Sequence, residues 1–173
     1  MNSAENRRSN LLQLLQEHGT PLSGSALAKI LGVTRQIIVQ DIALIRADNH
    51  NILSTNKGYI YKTGTEKISR PLRVVYVKHS TDEVLDEFLT ILELGGTVLD
   101  VAVEHEIYGQ FRVDLLIETK QDAQDFVSRL SQCKDNPLKV LTDDCHYHTI
   151  TAPSEKLLEL IEDALKSKGY LIV

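Results

Sequence analysis

The chain has 173 residues, of which 42% are hydrophobic and 25% charged, and it carries a formal net charge of -5. It has no run of about 18 apolar residues that could span a bilayer, and its first ten residues include no apolar segment that could act as a secretory signal. Its two cysteines, Cys133 and Cys145, are too few for a disulfide framework, so we expect a cytoplasmic protein with no membrane partner.

Three helices are predicted at the start of the chain. Leucines at helical spacing indicate a first helix that ends at Gly19, where glycine can adopt a left-handed cap. Ser23 and Thr34 are plausible N-caps for a second helix over 24–31 and a third over 35–47. Two short helices joined by a tight turn with a glycine are typical of a helix-turn-helix.

A β-hairpin is predicted directly after the third helix. Residues 52–54 and 59–61 have strand character, and 56–58 provide the turn, so the hairpin would form the wing of a winged helix-turn-helix. The stretch GVTRQIIVQDI, residues 32–42, resembles the recognition segment of biotin-repressor-like bacterial regulators. The resemblance covers roughly residues 5–62.

The start of the third helix carries the residues expected to contact DNA. Arg35 can bind guanine or phosphate, and Gln36 or Gln40 can pair with adenine. Ile37 can contact a thymine methyl group or, alternatively, pack against the wing. Lys57 at the wing tip can contact phosphate, although a lysine in a turn is often simply solvated. The predicted DNA-binding residues are Thr34, Arg35, Gln36, Ile37, Gln40 and Lys57.

Charge divides the chain into two parts. Residues 1–70 contain nine basic and five acidic residues, whereas 71–173 contain ten basic and nineteen acidic ones. A basic part is suited to a polyanion, and an acidic part would be repelled by one. The polar stretch TGTEKISRP, residues 63–71, is the expected linker, and we predict domains at 1–65 and 71–173.

The second part alternates between strand and helix patterns. Ser80 and Glu83 form a capping box before a helix that contains Glu87. The order of elements predicts an α+β fold: a winged helix-turn-helix followed by a ferredoxin-like α/β sandwich with an appended helix and strand. The remaining segments are strands over 72–78, 97–108 and 110–118, helices over 123–133 and 154–169, and one or two strands within 137–141 and 145–151.

Histidines extend the apolar faces of the predicted strands. His79 follows one strand and His105 ends another, while His146 and His148 are two apart and share a face. Glu87 interrupts the apolar side of its helix. The four histidines and Glu87 are therefore expected to meet at one buried edge of the sheet, beneath the helices. Neutral imidazole and carboxylate oxygen suit zinc, nickel or iron. The alternative is that each histidine is a hydrogen-bonded core residue.

The ordered set of His79 with Glu87, VEHEIYG at 103–109 and CHYH at 145–148 resembles the three-histidine domain of niacin-responsive transcriptional repressors. The resemblance implies a homodimeric repressor, not an enzyme, which binds double-stranded operator DNA of NAD-biosynthesis or niacin-uptake genes. It implies nicotinic acid as corepressor and a divalent metal, nickel or zinc. The implied metal ligands are His79, Glu87, His146 and His148, and the implied ligand-binding residues are His105 and Tyr108.

Other functions are compatible with the same residues. The metal itself could be the signal, which would make the protein a metal-responsive regulator. A metal-dependent hydrolase fused to a helix-turn-helix is a further alternative, although the sequence shows no Ser/His/Asp arrangement and no phosphate-binding loop. The simplest alternative is that the C-terminal part is a purely structural dimerisation module.

Overall fold

The computed structural model describes residues 3–48, 50–62 and 70–172. Internal contacts divide the chain into two compact units, Met1–Lys67 and Ile68–Val173, and each is described by itself. Of the linker predicted at 63–71, residues 63–69 lie outside the described residues, as does Val173 of the apolar tail.

The first unit is a winged helix-turn-helix, as predicted. The second and third helices begin where the sequence predicts, because the Ser23 side chain accepts a hydrogen bond from the Ala26 N–H and the Thr34 side chain accepts one from the Ile37 N–H. The wing is joined to the loop before the second helix by reciprocal backbone hydrogen bonds between Leu22 and Tyr59. The elements are α1 (Ser3–His18), α2 (Gly24–Leu31), α3 (Arg35–Ala47), β1 (Ile52–Thr55) and β2 (Gly58–Tyr61).

The core of this unit is formed by one side of each helix. Leu11 and Leu15 of α1 are fully buried with Leu27 of α2 and with Ile38 and Ile42 of α3. The buried positions on α3 are spaced by three and four residues, as an amphipathic helix requires. The opposite side of α3 is therefore left toward solvent.

The second unit is an α+β sandwich, which confirms the predicted fold class. The α-helices of this unit supply the buried side chains that cover one face of the sheet. Two short 3-10 helices, Thr81–Glu83 and Leu138–Thr142, complete the unit, and the second is called the 3-10 segment below. The main elements are β3 (Leu72–Lys78), α4 (Val84–Glu93), β4 (Thr97–His105), β5 (Gly109–Ile117), α5 (Lys120–Gln132), β6 (Cys145–Thr151) and α6 (Glu155–Ser167).

The sheet has the strand order β3-β6-β4-β5, with every neighbouring pair antiparallel. The parallel strands β3 and β4 are thus separated by β6, and β5 and β6 by β4, so both helix connections form split βαβ units. This order differs in detail from that of ferredoxins, in which the first and third strands are central. The appended strand is a short bridge between Leu171 and Val77.

Two details of the predicted elements are corrected by the structure. The stretch over residues 137–141 does not add a strand, because Leu138–Thr142 forms a 3-10 helix. Its chain turns back toward β6 through Asp143 and Asp144, which both have a positive φ. Strand β4 ends at His105 and not at Tyr108, because a turn leads to Gly109, whose φ is +75°.

The close approach of the wing to the loop before α2 predicts that Gly58 tolerates no side chain. Gly58 has a φ of +133°, and an added Cβ would lie 2.2 Å from the Leu22 carbonyl oxygen. Gly58→Ala should therefore lower the free energy of unfolding of the first unit by about 2–4 kcal/mol, measured by chemical denaturation of the full chain.

Gly19→Ala is the matched control for this substitution. Gly19 also has a positive φ, but an added Cβ there would meet no atom within 4 Å. Only the cost of the left-handed backbone remains, about 1–2 kcal/mol. Equal losses for the two variants would contradict the steric explanation.

Candidate functional site

Four ionisable side chains meet beneath α4. His79 follows β3, His146 and His148 lie on β6, and Glu87 points down from α4. All four are at most 5% exposed. The Nε2 atoms of His79, His148 and His146 lie 2.7, 3.5 and 3.9 Å from Glu87 Oε2. The structure therefore brings together the four residues that the family resemblance implies as metal ligands.

The three imidazoles have the same orientation relative to Glu87. The Nδ1 atom of each ring lies within hydrogen-bond distance of a backbone carbonyl, which can only accept, so Nδ1 carries the proton. In the neutral ring the lone pair is then on Nε2, the atom nearer Glu87. The contacts are His79 to Ser80 O at 2.8 Å, His146 to Asp144 O at 3.1 Å and His148 to Asp100 O at 2.5 Å.

Within the part of the chain that the structure describes, the ion pairs of Glu87 are all with histidines, and none is with a lysine or arginine. Both carboxylate oxygens of Glu87 and Nε2 of His79 are buried without a hydrogen-bond partner among the described residues, although His79 Nε2 lies 2.7 Å from Glu87 Oε2. Burying an uncompensated carboxylate costs several kcal/mol, so a proton on a histidine or a metal ion has to balance it.

The donor set fits a metal ion. Ligand atoms of His79, Glu87 and His146 all lie within 4.8 Å of one another. Imidazole nitrogen and carboxylate oxygen suit zinc or nickel. Metal-bound histidines usually donate their second N–H to an oxygen such as a backbone carbonyl, and His79, His146 and His148 each have a backbone carbonyl at Nδ1.

The pKa values show how strongly these groups interact. Burial by itself would raise the pKa of Glu87, but the charge of His148 and the polar contacts with the three histidines outweigh it, and the pKa lies well below its ordinary value. Burial would lower the pKa of His148, yet the Glu87 carboxylate raises it. At His146 burial dominates and lowers the pKa. Of these two histidines, His148 is therefore the one whose charged form its surroundings favour.

A cavity opens directly beside the cluster. Its volume is about 190 Å³, below the roughly 300–1,000 Å³ of pockets for drug-sized ligands, so it suits a molecule of about one ring. Aromatic and aliphatic side chains form most of its wall, and the polar groups are concentrated at the cluster. The lining residues include Val84, Phe88, Val101, Leu115, Phe126, Leu130 and Leu138, together with His79, Glu87, His146, His148 and Lys139.

The two predicted ligand-binding residues lie elsewhere. His105 and Tyr108 are at the tip of the β4–β5 hairpin, with ring centroids 5.0 Å apart, and neither is among the described residues that line the cavity. The expected convergence of His105 with the other four groups is therefore wrong. On β4, Ala102 pairs with Tyr147, which lies between His146 and His148 on β6. His105 is three residues further along β4, which is about 10 Å from this point. Ligand binding by His105 and Tyr108 stays a prediction.

The predicted DNA contacts lie on the free side of α3 and on the wing. Arg35, Gln36 and Gln40 are exposed, and Ile37 is half-buried. Thr34 is exposed but also caps α3. Lys57 is exposed at the wing turn. The exposed polar side chains of α3 lie near the start of the helix, which is where recognition helices meet base edges.

Sequence reasoning missed a buried ion pair that fixes α3. Asp41 is 2% exposed, and its Oδ2 and Oδ1 lie 2.6 and 3.1 Å from Nε and Nη2 of Arg7 on α1. Nη1 of Arg8 lies 4.0 Å from Oδ1 of the same carboxylate. The available signal was that Asp41 falls three residues after Ile38 and four before Ile45, within the apolar side.

Sequence reasoning also missed two residues behind the cluster. Asp100 is buried in β4; its carbonyl orients His148, and its carboxylate accepts from the Thr149 N–H and pairs with Arg112. A charged residue within an apolar strand pattern could have revealed it. Lys139 is also buried, on the 3-10 segment, and the strand prediction for that stretch concealed it.

Comparisons with known proteins agree with both units. Residues 72–173 match the 3H domain, and residues 7–60 match an HTH domain. The chain is 38% identical to the probable transcription repressor NiaR of Thermotoga maritima, over 97% of this chain and 94% of that protein. It is 36% identical to the transcription repressor NadR of Bacillus subtilis, over 96% and 93%. Transcriptional repressor CcpN of Bacillus subtilis is 30% identical over 64% of this chain and 58% of its own length.

Proposed function

This chain belongs to the niacin-responsive family of transcription repressors, and we propose that it represses genes of NAD biosynthesis or niacin uptake with nicotinic acid as corepressor. The single observation that carries the ligand part is the cavity that opens beside the His79, Glu87, His146 and His148 cluster. We place the protein in the cytoplasm, where its DNA partner is, as a regulator and not an enzyme. No described helix is long and apolar enough to cross a membrane.

The metal site that we propose uses all four clustered side chains. His79, His146 and His148 would provide Nε2 and Glu87 a carboxylate oxygen, and the ion would replace the proton that otherwise balances Glu87. A bound nickel or zinc ion supplies positive charge and an open position for an anionic ligand. The carbonyls of Ser80, Asp144 and Asp100 hold the three rings in orientation.

The ligand that we propose is a small aromatic acid. The cavity is sized for about one ring, and its apolar wall includes Phe88 and Phe126. The carboxylate would lie toward the cluster, since this is where the polar groups are. Nicotinic acid has this combination of one ring and one carboxylate.

Control of DNA binding requires that the ligand favours one dimer geometry over another. In the homodimer that we propose, the two α3 helices would enter major grooves about one helical turn of DNA, or a multiple of it, apart. The residues that would face the bases are Arg35, Gln36, Ile37 and Gln40. Thr34 and Lys57 would lie near the sugar-phosphate backbone of the DNA.

The DNA-binding role is tested on α3. Replacing both Arg35 and Gln36 by alanine should weaken binding to a DNA site selected by this protein from a random pool by at least about tenfold, because each lost contact costs about 1–3 kcal/mol. Fluorescence anisotropy gives the affinity, and circular dichroism shows whether the fold is retained.

The matched control replaces Arg129 and Gln132, the same residue types on the exposed side of α5, by alanine. DNA affinity should be unchanged in this variant. Equal affinities of the α3 double variant and the wild-type protein would show that α3 does not read the operator.

The metal site is tested by metal content and affinity. The wild-type protein loaded with nickel or zinc should hold one ion per chain, and Glu87→Gln and His148→Ala should each lower metal affinity by more than about 100-fold, since loss of an outer-shell partner alone costs 10–100-fold. His18→Ala, at an exposed histidine of α1, is the control and should retain the metal. A wild-type protein that binds no divalent metal would refute the proposed centre.

The corepressor role is tested by titrating DNA binding with nicotinic acid at a fixed metal concentration. Affinity for DNA should rise by about 5–150-fold, the usual range of allosteric coupling. The reverse titration, with metal varied and nicotinic acid absent, separates a metal-responsive regulator from a niacin-responsive one. Full DNA affinity with metal alone would identify the metal as the signal.

A further inference from the structure

We propose that Lys139 receives the carboxylate of the ligand and makes the site select an aromatic acid over the corresponding amide. This inference rests on the proposed function, because it concerns the ligand of the same cavity. Lys139 lies on the 3-10 segment, is 5% exposed and lines the cavity beside His79 and His146.

The ammonium group of Lys139 is only partly used by the described residues. Its Nζ donates a hydrogen bond to the His79 carbonyl at 2.5 Å and lies 3.4 Å from Asp144 Oδ1. An ammonium group offers three donors, and these two contacts occupy at most two of them. These contacts leave at least one donor of the ammonium group over, and Lys139 is one of the residues that line the cavity.

A carboxylate in this cavity needs a cation beside it. Most of the wall is apolar, and Glu87 adds a negative charge of its own, so an acid would meet repulsion without compensation. Among the described residues that line the cavity, Lys139 is the one lysine or arginine side chain. With a divalent ion at the cluster and Lys139 at the wall, the site carries enough positive charge for both Glu87 and a monoanionic ligand.

Asp144 sets how strongly Lys139 is engaged before a ligand arrives. Its carboxylate is 42% exposed, and its separation of 3.4 Å from Nζ is longer than a charge-assisted hydrogen bond. A ligand carboxylate at normal hydrogen-bond distance would therefore compete with Asp144 for the ammonium group. An amide has no negative charge, so it gains little from the same contact.

The test compares nicotinic acid with nicotinamide, by calorimetry on the metal-loaded 173-residue chain. Lys139→Met should weaken nicotinic acid binding by about 10- to 100-fold, as expected for loss of a hydrogen bond to a charged group. Nicotinamide affinity should change by less than about threefold, so that the preference for the acid falls. Lys134→Met, at an exposed lysine between α5 and the 3-10 segment, is the control and should behave as wild type.

A second variant covers the case in which Lys139→Met loses its metal or unfolds. Asp144→Asn retains the backbone carbonyl that orients His146, and asparagine tolerates the positive φ at this position. It should raise nicotinic acid affinity severalfold, because Lys139 loses its competing carboxylate. Unchanged or weaker binding of nicotinic acid by this variant would show that Lys139 only stabilises the fold and does not bind the ligand.

The two levels of the proposal fail differently. If the wild-type protein binds no nicotinic acid, the proposed corepressor is wrong. If the wild-type protein binds it and Lys139→Met keeps the full preference for acid over amide, the role of Lys139 is wrong and the proposed function stands.

Discussion

The candidate site of the second unit is built around one buried carboxylate. Glu87 is fully buried, so water cannot stabilise its charge and a neighbouring positive charge has to balance it. The antiparallel pairing of β3 with β6 places His148 opposite Val75 and His146 opposite Val77, and His79 follows two residues after Val77. The three imidazoles therefore lie at one end of the sheet, directly beneath α4. A single helix and one strand pair are enough to build the centre.

Two buried carboxylates in this chain have different environments. Asp41 and Glu87 each lie within the apolar side of a helix, at spacings of three and four from buried residues. Asp41 is met by the guanidinium of Arg7, which neutralises it and holds α1 to α3. Glu87 meets imidazoles whose outer nitrogens are already engaged by backbone carbonyls. The charge of Asp41 is balanced within a structural ion pair, whereas the charge of Glu87 is balanced only with an added proton or cation. This difference separates a structural carboxylate from one that can bind a ligand.

The parts of the fold that local rules determine could be predicted from the sequence. Capping residues, apolar spacing and the alternation in CHYHTIT identified the helices of the first unit, strand β6 and the shared face of His146 and His148. The order of the strands follows from packing between distant segments, so it could not be read from the chain. The same holds for His105, whose face was predicted but whose distance along β4 from the cluster was not. The stretch before β6 was misread because a short apolar run is compatible with a strand and with a 3-10 helix.

The 3-10 segment connects the cavity wall to two of the clustered histidines. Lys139 binds the carbonyl of His79, and the carbonyl of Asp144 binds Nδ1 of His146. Asp143 and Asp144 have φ values of 54° and 64°, a left-handed conformation that costs non-glycine residues roughly 1–2 kcal/mol each. Contacts at both ends of the segment hold this turn in place. Under the proposed function, a ligand that engaged Lys139 would act on the carbonyl of His79 and, through the turn, on the carbonyl that orients His146. We therefore expect anion binding and metal binding in this unit to be coupled.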